Sequence, residues 1–179
     1  NPVEFWNGNY YNNSGKGNSN GIDVFYRDKE TFKTVEFWVS YSYVDSKRIY
    51  RDYPKMVTPP FAPKHSTSLV MKKWIPKITT QVGLSVSLAS GRPYNNPNSQ
   101  HFMNELTPFY NDVSINCSYL TTFFDKSTII YSSVSNLLGR DNIFGYHYYS
   151  QPNSNGIYES VPVKADSKRF YLLVILITI

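Results

Sequence analysis

Between Tyr110 and Gly139 the chain alternates apolar and polar residues, turns, and comes back. Val113, Ile115, Cys117 and Tyr119 fall on one side of the first segment, and Asp112, Ser114, Asn116 and Ser118 on the other. Successive side chains of a strand point to opposite faces, so a period of two predicts a strand with one greasy and one polar face. A short turn at 121–127 then returns a second strand over 128–139. Such a hairpin needs a sheet whose two faces meet different surroundings.

The same period recurs along the chain. Ile22, Val24 and Tyr26 share a face of a first strand, Gly21–Tyr26. Val35, Phe37, Val39, Tyr41 and Tyr43 do so in a second, with only Trp38 interrupting the polar alternates. Thr67, Leu69 and Met71 mark a third over His65–Lys73, and Thr80, Val82, Leu84, Val86 and Leu88 a fourth. Lys168–Ile179 reads as a last strand, apolar on both faces at its end, and shorter strand extensions fall near Ile143–Tyr149 and Ile157–Val161. Residues 1–20, rich in Asn, Gly and Ser, read as a loop. No helical period of 3.6 extends over a useful length. Connections alternate between short (27–32, 74–77, 121–127) and long (45–64, 90–108, 139–167).

An all-β antiparallel fold follows, and the choice is between a β-sandwich and a transmembrane β-barrel. Three features favour the barrel. Tight turns on one side and long loops on the other are its usual connectivity. The strands approach the roughly 10 residues that cross a bilayer when tilted. Aromatics gather at strand ends, Tyr41 and Tyr43 towards the long loops, Phe32, Trp74, Tyr119, Phe123 and Phe124 towards the short turns, as in interfacial girdles. Composition agrees: 17% of residues are aromatic, which suits pleated surfaces. Another 17% are charged, below the roughly 25% of soluble domains. A net charge of +5 without a basic stripe argues against a nucleic-acid partner. The single cysteine, Cys117, precludes an internal disulfide.

Little points to catalysis. His65, His101 and His147 lack metal-ligand spacing, Asp112 has no acidic partner at fixed spacing, and no Gly-x-Ser-x-Gly elbow exists. No catalytic residue, metal or cofactor is expected, and the chain does not read as an enzyme. Two loop clusters mix cations with aromatics instead: Arg48, Tyr50, Arg51 and Tyr53 in the first long loop, and Arg92, Tyr94, Asn95 and Asn96 in the second. Aromatic faces stack on rings, and Arg pairs with carboxylates, so these are the candidate ligand-binding residues. The plainer alternative is that they anchor loops at an interface.

The chain resembles the C-terminal barrel region of TonB-dependent outer-membrane receptors, particularly those of Bacteroidetes-type bacteria. The resemblance covers residues 1–179 almost throughout. It rests on Gly21-Ile22-Asp23-Val24-Phe25-Tyr26-Arg27-Asp28-Lys29, Phe61-Ala62-Pro63-Lys64-His65 and Ala89-Ser90-Gly91-Arg92-Pro93-Tyr94. It rests also on Val134-Ser135-Asn136-Leu137-Leu138-Gly139 and the closing Lys168-Arg169-Phe170-Tyr171. It implies about the last seven strands of a 22-stranded barrel around a plug domain, in the bacterial outer membrane. It implies uptake of a scarce nutrient such as an iron chelate, cobalamin, glycan or peptide. The implied partners are outer-membrane lipid, the rest of the barrel and plug or another chain completing it, and the TonB complex through the plug region. Two features depart from the family: the plug and earlier strands are not in the chain, and the last residue is Ile179 rather than an aromatic. Seven antiparallel strands leave like-directed edges, so a fragment or a partnered piece is expected. The alternatives are a soluble or surface β-sandwich that binds carbohydrate, and a barrel serving as scaffold in a larger envelope complex.

Overall fold

The computed structural model describes residues 15–50 and 53–178. Eleven strands are present: β1 (Lys16–Asp28), β2 (Val35–Ile49), β3 (His65–Ile75), β4 (Thr80–Ala89), β5 (Pro93–Tyr94), β6 (Glu105–Leu106), β7 (Tyr110–Phe123), β8 (Lys126–Ser135), β9 (Ile143–Tyr148), β10 (Ser160–Lys164) and β11 (Phe170–Ile177). Seven of them form one antiparallel sheet in the order β1-β2-β3-β4-β7-β8-β11. The other four form two small ribbons, β5 with β6 and β9 with β10, inside the long connections.

The three short turns lie at one end of the sheet, each with its own chemistry. Between β1 and β2, the Asp28 carboxylate accepts the Glu30 and Thr31 amides at 3.1 and 2.9 Å. This side-chain turn replaces backbone pairing where the ladder stops. Between β3 and β4, Pro76–Ile78 make one 3₁₀ turn, and Thr79 ends it in the left-handed region at φ 45°. Between β7 and β8 only Phe124 and Asp125 lie outside the ladder, with φ 48° and 59°. Two successive left-handed residues twist the chain in the sense the flanking strands require. The seven-residue turn predicted at 121–127 is thus corrected to two, because Thr121 and Thr122 pair with Thr128 and Ser127 and continue the strands.

Register carries the alternation across the sheet, since directly opposed residues share a face. One row runs Asp28, Phe37, Met71, Leu84, Ile115, Val134, Tyr171. Another runs Tyr26, Val39, Leu69, Val86, Val113 on the same face. The opposite face carries Phe25, Ser40, Ser68, Ser87, Asp112. There the Ser40 and Ser68 hydroxyls bond at 2.8 Å, and Arg27 pairs with Glu36. From β2 to β7 the greasy and polar sides of single strands therefore add up to a greasy and a polar face, while β11 is apolar on both, with Leu172 and Val174 on the face of Asp112.

Neither face of this sheet is covered by a second layer among the described residues. Val57, Pro59 and Pro93 are their only buried apolar side chains apart from glycine, while Ile22 is 65% exposed and Leu173 69%. The sheet is also open: β1 and β11 are its edges, and six antiparallel steps make them run in the same direction. The expectation of seven main strands agrees with the structure, but the described residues form no closed barrel.

Several boundaries shift. β1 starts at Lys16, so part of the loop predicted over 1–20 is strand, and residues 1–14 lie outside the described ones. Turn-forming residues Gly17, Asn18, Ser19 and Asn20 are held extended by pairing with Arg48, Lys47, Ser46 and Asp45. Gly21 permits the closest approach, since a Cβ there would meet the Tyr43 carbonyl oxygen at 2.6 Å. β2 correspondingly runs on to Ile49, which takes Arg48 out of the first long loop. β8 stops at Ser135, because Asn136 turns left-handed at φ 49°. The extensions expected near 143–149 and 157–161 are the β9–β10 ribbon.

Candidate ligand-binding groove

The three long connections meet one another at the end of the sheet away from the short turns. In the first, Val57 pairs back onto Arg48 through two backbone bonds of 2.8 and 3.0 Å. The Arg48 guanidinium lies 5.5 Å over the Phe61 ring. Tyr50 meets Tyr53 edge-on at 5.0 Å, and Tyr53 meets Phe102 of the second connection at 4.9 Å. In that second connection the Tyr94 hydroxyl donates to Glu105 Oε2 at 2.9 Å, and Asn96 Nδ2 donates to Oε1 at 3.0 Å. The Tyr94 ring sits 4.7 Å from Tyr146 of the third connection. Asn98 acts like a piece of strand: its amide nitrogen donates to the Tyr158 carbonyl and its oxygen accepts the Tyr158 amide, both at 2.8 Å.

Beneath these connections a cavity of about 460 Å³ opens on the polar face. Its floor is the serine field of Ser40, Ser42, Ser66, Ser68 and Ser87, and its walls include Arg92, Tyr110 and Phe144. A second cavity of about 200 Å³ shares Tyr110 and Phe144 with the first, so the two are neighbouring chambers. It is lined by Asp112, Ser135, Arg140, Asp141, Lys164 and Lys168. Asp141 stands between Lys164 and Lys168, at 3.4 and 2.8 Å. The hydrogen bond from Lys168 holds its carboxyl below the usual carboxylate range, with the charge of Lys164 adding to the effect.

Asn136 assembles this second chamber. Its side-chain nitrogen donates to the Arg140 carbonyl at 2.8 Å and the Lys168 carbonyl at 2.5 Å. Its side-chain oxygen accepts the Arg140 amide at 3.2 Å. One left-handed residue thus ties two cation-bearing segments that are 28 positions apart in sequence. Asn tolerates that backbone better than most residues and brings three hydrogen-bonding sites to it. Arg169 adds a bond from Nε to the Leu137 carbonyl at 2.9 Å.

Of the sequence-predicted residues, Arg92 lines the groove. Arg48 is strand and loop packing, and Tyr50 and Tyr53 belong to the aromatic ladder joining two connections. Tyr94 is committed to Glu105 and Tyr146, Asn95 is exposed, and Arg51 lies outside the described residues. Arg48, Tyr53 and Tyr94 thus carry loop-packing contacts, and Arg48 and Tyr50 also line a separate cavity of about 350 Å³ beside β1. Tyr110, Phe144, Arg140, Lys164 and Lys168 were missed. The cations among them stand at both ends of the third long region, but nothing in the sequence signals that β9 and β10 pair and bring those ends together. Among the described residues no cluster of three metal-ligating side chains occurs, and no helix is long and apolar enough to cross a membrane.

The Tyr94 phenol is raised well above its ordinary value, first by burial and then by its bond to the Glu105 carboxylate. A group with a raised folded-state pKa stabilises below its unfolded value and loses that contribution as pH rises through the gap. The β5–β6 ribbon is therefore expected to loosen above about pH 10, the free tyrosine value. Hydrogen exchange of the 92–107 amides with and without Glu105→Gln checks this: the alkaline loss of protection should be smaller in the variant. No protein-family model, curated protein or solved structure matches the chain.

Proposed function

We propose that this chain is wall and loop of an outer-membrane receptor barrel of the TonB-dependent type, taking up a scarce nutrient across the bacterial outer membrane. The single observation carrying this reading is a one-layer sheet with one largely apolar face and, from β2 to β7, a mainly polar opposite face. A compact protein of 20.7 kDa exposes about 8,900 Å². This chain exposes 13109 Å², about half as much again. The excess includes long apolar rows that water would not tolerate as a free surface. Lipid on one side and a hydrated lumen on the other satisfy both faces at once, and a barrel is the sheet that membranes accept.

On this reading Val113, Ile115 and Cys117 face lipid, and the serine field faces the lumen. The long connections stand outside the cell, and their groove opens on the lumenal side, where a ligand captured by the loops would pass. No bond in the ligand is broken. β1 and β11 join to further strands supplied elsewhere, and energy from TonB arrives through a plug region that these residues do not include. The carbohydrate-binding sandwich is the weaker reading, because the only other sheets among the described residues are the two-stranded ribbons of the long connections. A pure scaffold gives no reason for the groove.

Cys117, the only cysteine, supplies the test. The protein is labelled there with a small fluorophore in lipid vesicles. Bromine-bearing acyl chains are expected to quench it and aqueous iodide to leave it bright. A label at Ser118→Cys in a Cys117→Ser background should show the reverse, since Ser118 pairs with Gln81 and Tyr131 on the polar face. Iodide quenching of both positions, with none from the lipid, would overturn the proposal.

A further inference from the structure

We infer that the paired chambers form a site for a small anionic, ring-bearing ligand, held at its charged end by Arg140, Lys164 and Lys168. The inference rests on the receptor reading for its biological use but not for its chemistry. Across the two chambers four cations, these three and Arg92, face two carboxylates, Asp112 and Asp141. Both carboxylates already have partners: Asp141 the two lysines, and Asp112 the Ser114 hydroxyl at 2.6 Å. Positive charge is therefore in surplus, and a carboxylate or sulfonate can share the lysines with Asp141 and take the guanidiniums bidentately.

The cations do not need to be gathered on binding. Asn136 fixes the backbone at Arg140 and Lys168, and Asp141 already holds Lys164 and Lys168 together. A site ordered in advance loses less freedom when it closes on a ligand. Between the basic chamber and the serine floor stand Tyr110 and Phe144, with ring centroids 6.0 Å apart, and Phe144 is 41% exposed. An exposed aromatic shared by the two chambers offers a face for a planar or sugar-like ring. The serine hydroxyls beyond it can donate or accept, which suits hydroxyl or ether groups on the far side of that ring. The arrangement thus selects an anion joined to a ring over a neutral or cationic molecule of the same size.

The test uses two probes, hydroxypyrene trisulfonate, read by fluorescence anisotropy, and citrate as competitor, with the protein in detergent or vesicles. Saturable binding of the dye, displaced by citrate and not by sucrose, is expected. Arg140→Gln combined with Lys168→Gln should weaken dye and citrate together by about tenfold or more. Phe144→Ala should weaken the dye while sparing citrate, and Lys29→Gln, at the opposite end of the sheet, should change neither. Equal loss in Lys29→Gln, or none in the double variant, would show simple ion exchange and overturn the site. Displacement by sucrose as readily as by citrate in the unaltered protein would overturn it without any variant. Lipid quenching at Cys117 is read on the same samples. Quenching without dye binding removes the site and leaves the receptor wall, and dye binding with iodide-accessible Cys117 does the opposite.

Discussion

On the proposed receptor-wall reading, arginine in place of Ile115 is expected to prevent stable insertion into the membrane, whereas arginine in place of Ser118, three residues along the same strand, is expected to be accepted. Ile115 lies mid-strand in β7, in the apolar row with Leu84 and Val134. A guanidinium on the lipid face near the bilayer midplane costs about 2–4 kcal/mol. Ser118 opposes Gln81 on the polar face, where the same group stays hydrated. Unfolding in urea from vesicles, or the mobility of unheated samples on a denaturing gel, measures the contrast. Equal stability of the two variants would mean that the faces have been assigned to the wrong media. A soluble protein would lose little from either substitution, because Ile115 is already 37% exposed.

Gly91→Ala is expected to release the second long connection while leaving the seven-stranded sheet intact. A Cβ at Gly91 would sit 2.0 Å from the Thr107 carbonyl oxygen and 3.1 Å from its carbon. The added methyl would meet the Thr107 backbone, which cannot swing away as a side chain can. The neighbours on either side depend on the closeness: Arg92 donates its amide to Thr107 Oγ1, and Thr107 donates its amide to the Arg92 carbonyl, both at 2.9 Å. Overpacking typically costs about 1–3 kcal/mol, and each hydrogen bond lost adds about 1 kcal/mol. Hydrogen exchange at Thr107 should quicken by well over tenfold, with the β3–β4 amides unchanged. The same variant should weaken ligand capture, because Arg92 leaves the groove with the loop. Unaltered protection at Thr107 would show that the loop relaxes around the added methyl at little cost.

How much of this was legible in the sequence varies by link. The strands of the sheet were, because a one-sided surroundings imposes a period of two that survives in every strand from Val35 to Tyr119. Strand ends were not. Gly17 to Asn20 look like turn residues, and only their cross-strand partners make them strand. Thr121 and Thr122 looked like turn for want of apolar alternation, yet the ladder needs only their backbone. The site was half legible. Arg92 lines the groove, while Tyr94 and Arg48, chosen on the same logic, make contacts with Glu105 and Phe61. Composition nominates cations and aromatics but not which of them are already partnered. Arg140 and Lys168 were missed because the residue that joins them, Asn136, looked like the continuation of a strand. Its left-handed backbone is a tertiary fact, and the motif around it carried the family resemblance without disclosing its job.

The β9–β10 ribbon has a kinetic meaning as well as a geometric one. β8 and β11 are neighbours, yet residues 136–169 separate them, while β7 reaches β8 across two. Closing a loop costs about 0.6 kcal/mol for each doubling of its length. Once Ile143 pairs with Lys164, the slack between β8 and β11 falls to residues 136–142 and 165–169. That shortening recovers about 0.9 kcal/mol of closure entropy before β11 docks. Once formed, the ribbon therefore works as a tether that raises the effective concentration of the last strand at its edge. Weakening it should slow the arrival of β11 more than it lowers the stability of the finished sheet.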